Sequence, residues 1–73
     1  MKIYVTIAIA NLDWREYEST SETTVYVGIN KDRAFNTKLL RDGDDGLIVQ
    51  VWENEVQKVT WCFDAGTDEW KIV

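Results

Sequence analysis

Histidine and proline are absent from this 73-residue chain, and cysteine occurs once, as Cys62. One cysteine rules out an internal disulfide, and without histidine the common zinc-ligand sets cannot be assembled. Cys62 also lacks any imidazole that would serve as its base, so it reads as a small buried or interfacial residue rather than a nucleophile. A free thiol suits a reducing compartment, and a cytoplasmic protein is expected. No stretch approaches the roughly 20 apolar residues that span a bilayer. Met1 to Ala10 resembles a signal peptide in its apolar content, but Tyr4 and Thr6 interrupt it at strand spacing and it is read as a strand. Repeats, low-complexity tracts and proline-rich linkers are missing, so residues 1–73 are expected to form a single domain.

Basic residues are also scarce: 8 Lys and Arg stand against 13 Asp and Glu, a formal net charge of −5. That balance opposes a polyanion, so no direct nucleic-acid contact is expected. What is abundant is tryptophan, with four in 73 residues. A domain of this size buries only about 60% of its unfolded surface. Some indole surface should therefore face outward, where Trp and Tyr beside carboxylates suit protein recognition better than catalysis.

The chain reads as ββαβββ. Residues 2–10 alternate Ile3, Val5, Ile7, Ile9 against Tyr4, Thr6, Ala8, Ala10, the period of a half-buried strand. Residues 11–22 lose that pattern, and strand chemistry resumes over 23–29. Asn30 is a helix cap, with a short helix expected near 31–41 and Asp42-Gly43 as its stop. Strands follow at Leu47–Trp52, Val56–Phe63 and Glu69–Val73, joined by turns at 53–55 and 64–68. The expected fold is α+β, a small antiparallel sheet of about five strands with one helix on one face. Parity places Ile3, Val5, Ile7, Ile9, Val25, Val27, Val49 and Trp61 under Phe35 and Leu39 of the helix. The opposite face, carrying Tyr4, Thr6, Ala8, Tyr26, Gln50 and Trp52, is then left uncovered. Tyr4, Tyr26 and Trp52 are either an oligomer or second binding face or cross-strand pairs that stabilise a small sheet.

Three other features carry chemistry. Asp42-Gly43-Asp44-Asp45-Gly46 has the oxygen ligands of a calcium loop, but the twelfth position from Asp42 is reached through strand-like residues 47–51, so it reads as a solvated turn. Asp13, Glu16, Glu18 and Glu22 interleave with Trp14 and Tyr17. Either this is a solvated connection or an acidic-aromatic contact loop, in which Trp14, Glu16, Tyr17 and Glu18 bind a partner. Lys31, Arg33, Lys38 and Arg41 form a basic set on the helix that either holds a phosphate or makes a solvated charged face.

The run Thr24-Val25-Tyr26-Val27-Gly28 with its following charged helix, and Val49-Gln50-Val51-Trp52-Glu53-Asn54, resembles small acidic accessory proteins of bacteriophages. The resemblance covers about half the chain and implies a setting in a bacterial host cell. Proteins of that kind often block host or defence proteins by stoichiometric binding, and some sequester nucleotide signals. The expectation is a non-enzymatic acidic inhibitor of a bacterial protein, without catalytic residues, cofactor, metal or membrane contact, and a homo-oligomer, most simply a dimer. Alternatives are a homo-oligomeric binder of a nucleotide signal and a structural assembly module.

Overall fold

Alternating side chains along five segments build one antiparallel sheet: β1 (Lys2–Ala10), β2 (Ser21–Gly28), β3 (Gly46–Glu53), β4 (Val56–Asp64) and β5 (Glu69–Ile72). The computed structural model describes residues 1–11 and 21–73. The expected α+β class and element order are both present, and the strands lie in the order β2-β1-β3-β4-β5. β3 and β4 join through Asn54 and Glu55, both at positive φ (53° and 67°), the pairing of left-handed residues whose twist matches a hairpin.

β2 and β3 each run antiparallel to β1, so they are parallel to one another with β1 between them. Parallel strands cannot be closed by a tight hairpin. Residues 29–45 must therefore cross over β1, and this crossover brings the helical residues onto one face. It contains α1 (Lys31–Ala34) and a separate 3-10 turn at Thr37–Leu39, in place of the continuous helix expected over 31–41. Asn30 caps α1 as expected, its Oδ1 accepting from the Arg33 N–H at 3.1 Å. Asn36 then repeats the motif: its backbone is extended and its side chain accepts from the Lys38 N–H at 2.9 Å. A second cap six residues after the first ends the helix, because the Asn side chain offers the backbone an alternative partner.

The register corrects the expected faces of β1 and β2. Tyr4 is opposite Val51, Thr6 opposite Val49 and Ala8 opposite Leu47. Directly opposed residues share a face, so the even-numbered residues of β1 lie under the crossover and Ile3, Val5 and Ile7 point away from it. Val27, opposite Val5, also lies on the far side and is 61% exposed. A register shift between Thr6 and Ile7 lets Val25 pack with Ala8, Leu47 and Phe63. The small residues decide the choice. Thr6 and Ala8 are fully buried, and the Thr6 hydroxyl donates to the Ala34 carbonyl at 2.8 Å. A Val at position 6, equal in size to Thr, would leave that carbonyl unpaired.

On β3, β4 and β5 the expected inward residues are found. Val49 faces Trp61, Leu47 faces Phe63, and Phe63 faces Trp70. Phe35 seals this side, with ring centroids 6.2 Å from Tyr4, 6.1 Å from Trp61 and 4.9 Å from Trp70. Gly28 is required by Tyr26, which folds back so that its hydroxyl accepts from the Asn30 N–H at 3.0 Å. A Cβ at Gly28 would lie 2.9 Å from the Tyr26 ring carbon Cζ.

Because Phe35 joins three aromatic neighbours from three strands, Phe35→Ala is expected to cost about 3 kcal/mol or more in chemical denaturation. A loss under about half a kilocalorie per mole would mean that the ring is not part of the core.

Candidate binding face

The crossover covers one side of the sheet, and among the described residues no other element lies over the opposite side. On that open side the central strands β1 and β3 present Ile3, Val5, Ile7, Ile48, Gln50 and Trp52, none of them charged. Charges enter at the borders: Glu22 on β2, opposite Ile9, and Glu69 and Lys71 on β5, opposite Asp64 and Cys62. An uncharged centre with a charged rim is the composition of protein interfaces.

Towards the start of β1 this face opens into a groove of about 270 Å3, lined by Met1, Ile3, Val5, Trp52, Asn54 and Glu55. Met1 and Ile3 are exposed there, at 84% and 42%. The Trp52 indole N–H donates to Gln50 Oε1 at 3.2 Å, which restrains the ring beside its cross-strand neighbour Ile3. At the other end of the sheet Ile9 and Cys62 are buried.

The residues expected to form one uncovered patch are therefore divided. Trp52 is on the open face. Tyr4 and Tyr26 lie on the covered side, Tyr4 against Phe35 and Tyr26 bonded to the start of the crossover. Trp52 shares the open face instead with Ile3, Val5 and Val27, which alternation alone assigns to the core. The signal is the hydroxyl of Thr6, a donor able to pair with a backbone carbonyl lying over it. Trp14, Glu16, Tyr17 and Glu18, the expected partner-binding loop, lie outside the described residues.

The acidic turn is occupied by its own arginine. Asp44 Oδ2 accepts from the Arg41 backbone N–H at 2.9 Å and from Arg41 Nε at 3.0 Å, while Oδ1 accepts from the guanidinium at 3.3 Å. The Asp44 carboxylate is almost covered, and hydrogen bonding to Arg41 holds its pKa below the ordinary range. The Asp45 N–H donates to the Ile9 carbonyl at 2.8 Å, and the Asp45 carbonyl accepts from the Ala65 N–H at 3.1 Å. This segment thus ties the crossover to β1 and to the β4–β5 turn. Arg41 is committed there, and Lys31 stands elsewhere, beside Phe35, so the four bases of the crossover do not converge.

Among the described residues no cluster of Cys, Asp and Glu has metal-site geometry, and no helix is long and apolar enough to cross a membrane. No protein-family model matches the chain, and it matches neither a curated protein nor a solved structure.

Two outcomes follow from these surroundings. Since the native state holds Asp44 below its usual pKa of about 3.9, its contribution is complete above that value and disappears as pH falls through the lowered one. Asp44→Asn should be less stable near neutrality and lose less stability on acidification, as urea denaturation from about pH 5 to pH 2 would show. Burial raises the Cys62 pKa and shields the thiol. Alkylation of native protein at neutral pH should accordingly proceed only through the small opened population, far more slowly than in denaturant, and mass spectrometry finding equally rapid modification of the native protein would contradict the packing.

Proposed function

We propose that this chain is a non-enzymatic binding protein that acts by stoichiometric contact with another protein through the open face of its sheet. The observation that carries this reading is the uncharged surface formed by Ile3, Val5, Val27 and Trp52, bordered by charge and opening into the groove beside Met1. Soluble chains seldom expose contiguous apolar surface without a use for it. A sheet is stiff, so such a face can be covered with little loss of side-chain freedom, which favours tight association. The formal charge of −5 supports a partner with a basic rim, approached by electrostatic steering.

The resemblance of the Tyr26 and Trp52 segments to phage accessory proteins supports a bacterial host or defence protein as that partner, with inhibition as the consequence of covering its surface. The loop bearing Trp14, Glu16, Tyr17 and Glu18 remains part of the proposal as a second contact. Its flanks, Ala10 and Ser21, pair at the end of β1 remote from Met1, so the loop and the groove can be tested separately.

Capture from bacterial lysate, followed by affinity measurement on the purified partner, tests the reading. With folding confirmed, Ile3→Asp, Val27→Asp and Trp52→Ala should each weaken binding by tenfold or more, consistent with anchors worth about 2 kcal/mol. Unchanged affinity in all three removes the open face from the proposal, and a loss confined to Trp14→Ala transfers the contact to the loop. Sedimentation of the same variants without partner distinguishes a second copy of this chain from a foreign protein, because self-association through this face would be broken by Ile3→Asp.

A further inference from the structure

On the covered side of the sheet, at the β4–β5 end, a second concavity of about 230 Å3 is lined by Lys31, Phe35, Trp61 and Trp70. We propose that it binds a small planar aromatic anion. This site is independent of the open face, since none of its residues lines the groove beside Met1.

The argument begins with the ladder. Trp61 is opposite Ile72 and Trp70 is opposite Phe63, so the two indoles are diagonal neighbours on one face of β4 and β5. Diagonal positions bring aromatic side chains within reach of one another, and with Phe35 the two indoles give the concavity a lining of three aromatic rings. Ring faces and edges of this kind favour a flat aromatic occupant. Phe35 meets both indoles edge-on, at interplanar angles of 79° and 60°, and closes one side of the cleft. Both indoles are half-buried, whereas packing of the core alone would favour covering them.

Charge selects the rest of the ligand. Among the described residues Lys31 alone carries charge in the lining. Its ammonium lies 6.0 Å from the Phe35 ring centre, the outer limit of a cation–π contact, so it is held near the rings without being seated on one. An anionic group on an aromatic ring would complete that arrangement, with the ring against the indoles and the anion beside Nζ. The volume is below the roughly 300–1,000 Å3 of drug-sized sites, which restricts the occupant to one or two fused rings.

The test uses 2-naphthoate as the probe and the indole N–H signals of nitrogen-15-labelled protein as the readout, assigned by single Trp→Phe variants. The signals of Trp61 and Trp70 should shift saturably while that of Trp52, on the opposite face, stays in place. The neutral analogue 2-naphthamide should bind at least several-fold more weakly. Lys31→Glu, at an exposed position, should leave the spectrum of the free protein native and weaken 2-naphthoate binding at least tenfold. The proposal is overturned if the shifts do not saturate, if Trp52 responds equally, or if naphthoate binding survives Lys31→Glu undiminished. Loss of protein-partner binding through the open face would have no bearing on these signals.

Discussion

The hydrogen bond from the Thr6 hydroxyl to the Ala34 carbonyl is the interaction on which the arrangement of this protein turns. Both residues are fully buried, and the bond joins the middle of β1 to the last residue of α1. A helix of four residues ends with carbonyls that have no partner within the helix. Leaving one buried and unpaired costs about 1–3 kcal/mol, a large share of the stability of a domain this small. Thr6 removes that cost, and in doing so it fixes which side of β1 faces the crossover. Since β1 is the strand between β2 and β3, its orientation determines which residues of both neighbours are covered.

From this follows the division of the apolar surface. Five strands have two faces, but the crossover supplies only one turn of α-helix and one 3-10 turn to cover them. Phe35, Leu39 and Leu40 pack on the side of Val49 and Phe63. The other side keeps Ile3, Val5, Val27 and Trp52 as surface. An open face is thus a consequence of a short connection between parallel strands, and the uncharged composition of its centre is what turns that consequence into an argument for a partner.

The strands were legible because period-two alternation survives in every one of them, and the turns because Asp42-Gly43 and Glu53-Asn54-Glu55 interrupt it. The direction of alternation on β1 was not. Ile3, Val5 and Ile7 are more apolar than Tyr4, Thr6 and Ala8, yet the smaller set is buried. Alternation reports that two faces differ. It does not report which backbone groups lie over each, and here the helix-end carbonyl of Ala34 makes Thr6 an inward residue. A shift of one residue exchanges the entire face, so Tyr4 and Tyr26 moved from the expected surface to the interior together. The helix was overestimated for a local reason, since helical spacing of Ala34, Phe35, Lys38 and Leu39 concealed the second cap at Asn36. Of the open face, alternation places Gln50 and Trp52 of β3 where the register puts them.

The tryptophans can now be weighed one against another. A small domain with a single cysteine has no internal disulfide and relies the more on packing, and large aromatic side chains supply much buried area per residue. Trp70 meets that need directly, because it packs against both groups of buried residues and against Phe35 and Phe63. Trp61 meets it in part, through Val49 across the ladder and Phe35 above, while leaving indole surface in the cleft beside Lys31. Trp52 meets it least. It lies on the side that the crossover does not reach, held by Gln50 and adjoining an exposed isoleucine. A threonine or valine would satisfy strand formation at that position. The demand for a core explains the aromatic content of this chain on the covered side and weakens from Trp70 to Trp61. At Trp52 it no longer suffices, and that shortfall is the physical ground for proposing that this face meets a partner.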